Sequence, residues 1–259
     1  MDRNDMDKVV SLKRLKVACR ACSLAQLCLP VGASRDDIER LDAIIKRRRP
    51  LRRGEHLYRT GDRFHSVYLV RSGSIKSCVP TDRGQEQVTG FHLPGELVGL
   101  DAIHVEEHHC GAVALETTSM CEVPFPQLES LAGQVPGLQR QMHRLMSREV
   151  LRDHEHLLML GKRNAEERLV TFLITLSNRF HERGYSAVEF RLSMSRGDIG
   201  NYLGLAVETV SRLFTRLQGQ GCISVDRKLV QLREPERLRM LAGVRPLEPD
   251  PRSYHGQRS

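Results

Sequence analysis

The 259-residue chain lacks long hydrophobic runs. None of its apolar stretches approaches the ~20 residues that a helix needs to cross a bilayer, so we expect no transmembrane segment and no membrane partner. The first sixteen residues are polar and charged, without the apolar core of a secretory signal peptide. We therefore expect a cytoplasmic protein. In that compartment its seven cysteines would serve as thiols or metal ligands and would not form a disulfide framework.

The sequence also lacks a set of residues that would assemble a nucleophile, a base and an oxyanion site, so we expect no enzymatic activity. Cys19 and Cys22 have the spacing of a thiol–disulfide pair, but that motif normally opens a helix in a βαβ fold, and no such pattern is present. His104, His108 and His109 could bind a metal, although a solvated loop is the simpler interpretation.

Positive charge is in excess. The chain has 40 Lys and Arg residues and 32 Asp and Glu residues, which gives a formal net charge of +8. Such a balance favours a polyanionic partner, and nucleic acid is the first candidate.

Three cysteines, Cys19, Cys22 and Cys28, lie within ten positions near the N-terminus, and nothing close to them in sequence is hydrophobic enough to bury them. They are typical of ligands. A fourth thiol from farther along the chain, such as Cys121 or Cys110, would complete a tetrahedral sulfur set. Such a set suits either zinc or an iron–sulfur cluster, and ligand chemistry alone leaves both open.

The hydrophobic pattern changes twice in the middle of the chain. From about residue 50 to 135, short apolar runs alternate with glycine and proline turns, which predicts many short antiparallel strands in a barrel or roll. Residues 138–160 then repeat apolar positions by four and three, the spacing of a helix that pairs with another helix. The predicted seam, with Asp153 as its one acidic member, comprises Met146, Val150, Asp153, Leu157 and Leu160.

From Asn164 the chain reads as a compact helical unit. Asn164 and Glu167 form a predicted capping box for one helix, and Ser195 caps a short second helix. A glycine turn leads to a third helix from Val207 to about Gln218, and a two-stranded hairpin follows. This order predicts a winged helix-turn-helix.

The third helix carries a polar face suited to DNA. Glu208, Ser211 and Arg212 are spaced i, i+3 and i+4, so they project together, away from the apolar stripe. Arginine can make two hydrogen bonds to guanine, and glutamate can accept one from cytosine. Residues 161–246 hold fifteen basic and nine acidic side chains, which adds to the prediction of double-stranded DNA binding.

Together these motifs resemble the FNR (fumarate and nitrate reduction regulator) branch of the CRP/FNR superfamily, including its Anr-type members. The matching segments are CRACSLAQLCLP, SGSIKS, TGFHLPGELVGLDAI, ALETTSMCEVPF, KRNAEERL and FRLSMSRGDIGNYLGLAVETVSRL. The resemblance implies an α+β fold with an N-terminal β-roll of the cupin-like jelly-roll type, a long dimerisation helix and a C-terminal winged helix-turn-helix. The expected boundaries are a cysteine-bearing segment at 1–29, the roll at 30–137, the dimerisation helix at 138–163, the DNA-binding domain at 164–243 and a disordered tail at 244–259.

The resemblance further implies a [4Fe-4S] cluster held by Cys19, Cys22, Cys28 and Cys121. Cys121 is preferred to Cys110 because only Cys121 lies in the family's LET…CE-PF context, which leaves Cys78, Cys110 and Cys222 unligated. Oxygen would convert the cluster to [2Fe-2S] and so weaken the homodimer. Charges that could offset the cluster's net charge are found at Lys13, Arg14, Lys16 and Arg20.

The same resemblance implies a transcription regulator of anaerobic genes that contacts RNA polymerase. Glu208, Ser211 and Arg212 would read inverted repeats of the type TTGAT–ATCAA. Asp153 matches an acidic position of the family's dimer helix, and two such carboxylates facing each other would hold the dimer near balance.

Two other ligands are alternatives for this fold. A cyclic nucleotide needs an arginine and a small hydroxyl residue shortly after PGELVG, but that stretch reads HVEEHHCGAVA, so we expect no cyclic nucleotide. A structural zinc would use the same thiols, although Cys-x2-Cys-x5-Cys is not a common zinc-finger spacing.

Overall fold

A computed structural model describes residues 19–81 and 84–243, with Arg20 described by its backbone only. The expected counter-charges at Lys13, Arg14, Lys16 and Arg20 and the predicted tail at 244–259 lie outside what is described. Within it, the predicted α+β architecture is confirmed: a β-roll comes first, a long helix follows, and a helix-turn-helix unit ends the chain.

The roll consists of two four-stranded antiparallel sheets, with strand orders β1-β8-β3-β6 and β2-β7-β4-β5. A short 3-10 turn at Cys19–Ala21 and helix α1 (Arg35–Ile44) precede it, and α1 begins at a capping box between Ser34 and Asp37. The strands are β1 (Lys46–Arg47), β2 (His56–Tyr58), β3 (Ser66–Ser72), β4 (Ile75–Pro80), β5 (Glu86–His92), β6 (Leu97–Val98), β7 (Gly111–Ala114) and β8 (Ser119–Pro124).

Gly73 shows why the turn between β3 and β4 needs glycine. Its φ is +81°, and a Cβ there would lie 2.6 Å from the carbonyl oxygen of Thr117. Any side chain would therefore collide with the neighbouring backbone.

Two helices follow the roll, α2 (Phe125–Gln134) and α3 (Pro136–Lys162), so α3 begins two residues earlier and ends one residue earlier than the predicted 138–163. The first half of α3 buries Leu138 and Leu145 against the roll. Its second half leaves large apolar side chains in solvent: Leu157 is 66% exposed and Leu158 is 62% exposed.

The C-terminal unit contains the predicted helix-turn-helix and one element that the sequence pattern did not indicate, helix α7. Its elements are α4 (Ala165–His181), β9 (Glu189–Arg191), α5 (Arg196–Leu203), α6 (Val207–Gly219), β10 (Ile223–Asp226), β11 (Leu229–Leu232) and α7 (Pro235–Ala242). The predicted hairpin of β10 and β11 gains β9 as a third strand, in the order β10-β11-β9.

A tight turn joins α5 to α6. Gly204 ends α5 in the left-handed conformation with φ +64°, and Leu205 N–H donates to Gly200 O at 2.8 Å. Glycine is also required at position 200, because a Cβ there would lie 2.6 Å from Leu205 O.

The C-terminal unit packs directly on the roll through α5. Tyr202 stacks on His156 of α3, with ring centroids 3.9 Å apart. Phe91 of β5 lies against Tyr202, with centroids 5.1 Å apart, and against Phe172, with centroids 5.9 Å apart. Asn201 accepts from Val88 N–H at 2.6 Å and donates to Glu86 O at 2.6 Å. These contacts connect the roll, the long helix and the C-terminal unit.

The expectation of a solvated histidine group holds only in part. His104 and His109 are exposed, but His108 is buried and stacks on Tyr58 with ring centroids 3.6 Å apart. Backbone hydrogen bonds join His108 to Gly61 and Asp62, just after the strand that carries Tyr58, and so hold the ring against Tyr58. None of the helices in the described ranges is long and apolar enough to cross a membrane.

Candidate functional site

Helix α6 separates its apolar and polar residues as the sequence predicts. Its apolar stripe is buried and consists of Val210, Leu213, Phe214 and Leu217. Glu208, Ser211 and Arg212 are all exposed on the other face. Their present bonds are local and weak to moderate, since Ser211 Oγ donates to Val207 O at 2.9 Å and Arg212 Nε donates to Glu208 O at 3.4 Å. These three side chains can therefore be redirected to a base edge without breaking a tertiary contact.

The wing beside α6 ends in a two-residue turn, because Asp226 and Leu229 are the last paired residues of β10 and β11. Arg227 occupies the turn with φ +53°, and its side chain is exposed. A cation at the tip of a wing is suited to phosphate contact.

The four predicted cluster ligands lie in one region of the structure. The thiol of Cys28 interacts electrostatically with those of Cys19, Cys22 and Cys121, and Cys19 interacts with Cys121. All four are free and half-buried. Burial, with a further contribution from Asp42, raises the pKa of Cys19 to about 12, and burial also raises the pKa of Cys28 and Cys121. Because these thiols are protonated when free, metal binding must displace their protons.

The other cysteines have different neighbours. Burial and Asp101 raise the pKa of Cys110 to about 12, and its remaining partners are Tyr58 and Cys78. Cys222 is fully buried within the core of the C-terminal unit.

The cysteine segment is anchored at both ends. At its start, Cys19 N–H donates to Asp42 Oδ1 at 3.1 Å. At its end, the Gln141 side chain of α3 donates to Cys28 O at 3.0 Å. We expected nothing close in sequence to bury the three cysteines. They are half-buried, and their neighbours Leu24 and Leu29 are buried, Leu29 in the core that the roll shares with α3.

The donor set consists of four thiols. In the described part of the chain, no three His, Cys, Asp or Glu side chains are arranged so that they could hold a metal ion. By its chemistry the set fits an iron–sulfur cluster or zinc, because thiolates are ligands of both.

The predicted seam on α3 is open to solvent in the single chain. Met146, Val150, Asp153 and Leu157 are exposed and Leu160 is half-buried. Leu151 and Leu158 widen the apolar surface to either side of the predicted residues. An exposed apolar stripe of this length suits a second helix.

Sequence reasoning missed Asp42, Gln141 and Glu96. Glu96 is 4% exposed and forms ion pairs with Arg152 of α3 and with Arg179 and Arg183 of α4. Glu96 lies in the PGELVG motif, but no local sequence pattern indicates which residues it pairs with. Asp42 and Gln141 carry no sequence signal at all.

Two family models match the chain. A Crp-like helix-turn-helix domain matches residues 167–241, and a cyclic nucleotide-binding domain matches residues 48–134. The second match coincides with the β-roll described above.

The chain is similar to known regulators over most of its length. It is 56% identical to the transcriptional activator protein Anr of Pseudomonas protegens over 87% of this chain and 92% of that protein. It is 49% identical to the fumarate and nitrate reduction regulatory protein of Escherichia coli over 88% of this chain and 91% of that protein. Among solved structures, FixK2 from Bradyrhizobium japonicum is 32% identical, with a TM-score of 0.71 over 78% of this chain and all of that chain. The sequence identity to these regulators and the exposed helix-turn-helix therefore place this chain in the FNR/Anr branch of the CRP/FNR family of DNA-binding transcription regulators.

Proposed function

We propose that this regulator senses oxygen through a [4Fe-4S] cluster held by Cys19, Cys22, Cys28 and Cys121. The observation that carries the proposal is that Cys28 interacts electrostatically with Cys19, Cys22 and Cys121, whereas the partners of Cys110 are Asp101, Tyr58 and Cys78. The names of the relatives agree, since they are Anr and fumarate and nitrate reduction regulators.

The chain offers a short route from the thiols to the dimerisation helix. Cys28 and Cys121 both pack against the core that contains Leu138 and Leu145 of α3. Gln141 holds the backbone of Cys28, and Gly32 O approaches Gly137 so closely that a Cβ there would be 2.6 Å away. A change in the position of the cysteine segment is therefore passed directly to the first half of α3.

When bound, the cluster would supply the oxygen-reactive group, and Cys19, Cys22, Cys28 and Cys121 would hold it. Without it, the cysteine segment would lose part of its attachment to the roll, and α3 would lose contacts at its base. The exposed seam of Met146, Val150, Asp153, Leu157 and Leu160 forms the homodimer when α3 is held in place. The dimer presents two α6 helices to an inverted repeat of the TTGAT–ATCAA type. The DNA-bound dimer then recruits RNA polymerase in the bacterial cytoplasm.

The test compares two cysteine variants purified without air. The wild-type protein is expected to show a broad visible absorption that bleaches as air is admitted, together with a shift from dimer to monomer in sedimentation. Cys121→Ser should lose both properties. Cys110→Ser, the matched control, should keep both, because the interaction partners of Cys110 include Tyr58 and Asp101 and none of the four proposed ligands.

Colourless protein that contains zinc would contradict the proposal and support the structural-zinc alternative. Loss of the absorption in Cys110→Ser with retention in Cys121→Ser would overturn the choice of the fourth ligand. Binding of cyclic AMP to the roll of the metal-free protein would favour the cyclic-nucleotide alternative.

A further inference from the structure

The cysteine segment must meet Cys121 across a large sequence separation, and one carboxylate lies between them. Asp42, in the last turns of α1, places its Oδ1 atom 3.1 Å from the backbone nitrogen of Cys19. The same oxygen accepts from Arg47 Nη2 at 2.6 Å. The Asp42 side chain is 27% exposed and that of Arg47 is 21% exposed, so the pair is partly shielded from water.

Arg47 in turn is fixed relative to Cys121. It belongs to β1, which pairs with β8, and Arg47 lies directly opposite Cys121 in that register. Its positive charge acts on the Cys121 thiol, as does that of Arg71. A continuous chain of contacts therefore runs from the Cys19 backbone through Asp42 and Arg47 to the strand position of Cys121.

From this geometry we infer that Asp42 is a positioning residue for the thiol site. It holds the first cysteine of the segment at a fixed place relative to the fourth, before any metal is bound. The inference rests on the proposed function for the identity of the ligands. It adds that a carboxylate which is not itself a ligand sets their mutual arrangement.

Two variants separate hydrogen bonding from charge. Asp42→Ala removes the acceptor for Cys19 N–H, whereas Asp42→Asn keeps an oxygen that can accept that bond and loses only the charge. Glu39→Ala is the matched control, because Glu39 is an exposed acid one turn earlier on α1.

Deuterium uptake is followed in reduced, metal-free protein, in the peptide that carries Cys19 and Cys22. Asp42→Ala is expected to speed uptake there by about fivefold to tenfold, the size of one net hydrogen bond. Uptake in β3 and β8 should not change. Asp42→Asn should stay nearer to the wild type, and Glu39→Ala should equal it.

A second measurement follows iron and sulfide retained after anaerobic reconstitution and gel filtration. Asp42→Ala is expected to retain less than half of the wild-type content, with partial recovery in Asp42→Asn. If the wild type takes up no iron, the proposed cluster fails, but the uptake measurement on metal-free protein still decides the role of Asp42.

Uptake in Asp42→Ala equal to that in Glu39→Ala would overturn the inference. So would a uniform rise across α1 and the roll, because that result would mean general unfolding and not a local loss of position.

Discussion

Arg212 is exposed on α6, and its Nε donates to Glu208 O at 3.4 Å, a weak bond within the helix. Its freedom to turn toward a base follows from that weak local bond. Ser211 and Glu208 share its face, so the three side chains can contact adjacent base pairs of one half-site.

We expect Arg212→Ala to reduce discrimination at one guanine position by ~1–3 kcal/mol, because a two-bond contact to guanine is lost. Competition binding with duplexes that carry single substitutions in each half-site measures this. Arg216→Ala is the control, since Arg216 lies one turn farther along and pairs with Glu166 at 3.5 Å. Arg216→Ala should weaken all duplexes evenly or not at all. Equal losses on specific and scrambled duplexes in Arg212→Ala would contradict the assigned role.

The exposed polar face of α6 was predictable from sequence because helical spacing alone separates Val210 and Leu213 from Glu208, Ser211 and Arg212. Asp42 was not. Its partners are a backbone nitrogen 23 residues away and an arginine on the next strand, and neither contact leaves a periodic signal.

Helix α3 is the element whose two halves have different surroundings. Its first half is packed on the roll through Leu138 and Leu145, whereas its second half is open to solvent. Asp153 lies in the open half, where a partner helix would bring two copies of its carboxylate close together. Two like charges at a symmetric contact destabilise it.

Asp153→Ala is therefore expected to raise the dimer fraction of air-exposed protein. Sedimentation velocity at several concentrations measures it. Glu155→Ala serves as the control, because Glu155 is exposed on α3 but lies off the predicted seam. An unchanged monomer fraction in Asp153→Ala, or an equal rise in Glu155→Ala, would refute the role of Asp153 in balancing the dimer.

The elements with a strong period or clear caps were predicted closely. Helix α3 differs from its predicted bounds by two residues at the start, and α4 begins at the predicted capping box of Asn164 and Glu167. Helix α7 was missed because it has only eight residues, although Pro235 at its first position is a helix-start signal. The pairing of β9 with β11 joins segments about 40 residues apart, and no local pattern encodes it.

At the scale of the whole molecule, Glu96 connects the roll to both of the units that follow it. Arg152 Nη2 lies 2.9 Å from Glu96 Oε1, Arg179 Nη2 lies 2.6 Å from Glu96 Oε2, and Arg183 also pairs with this carboxylate. Arg183 Nε donates in addition to Pro94 O at 2.6 Å. These partners are 56 to 87 residues from Glu96 in sequence, which is why the pattern could not indicate them.

We expect Glu96→Gln to lower the free energy of unfolding by roughly 3–5 kcal/mol, because it leaves buried guanidinium groups without their counter-charge. Urea unfolding at neutral pH measures the loss. Glu149→Gln is the control, since Glu149 forms an ion pair with Arg152, is more exposed than Glu96 and should cost less than ~1 kcal/mol. Equal losses in the two variants would contradict the central position of Glu96.

The free energy of unfolding should also depend on pH through the ionisation of Glu96. Burial alone would raise the pKa of Glu96, but Arg179, Arg152 and Arg183 together hold it well below the usual range. The stabilisation is therefore complete above the ordinary carboxyl pKa of about 4.3 and is lost as the pH falls below it. Glu96→Gln should lack this acid-side component. An identical acid profile for the two proteins, measured by unfolding between pH 3 and 7, would show that Glu96 does not contribute it.

The exposure of α6 in a single chain limits what oxygen could control under the proposed function. Because Glu208, Ser211 and Arg212 already face solvent, one subunit can engage one half-site without any unmasking. In the proposed dimer, the second α6 would be held at a high effective concentration, so the gain in affinity would come from avidity and depend on both half-sites being in phase. Promoters with a single good half-site should therefore respond to protein abundance, whereas promoters with a full repeat should respond to oxygen.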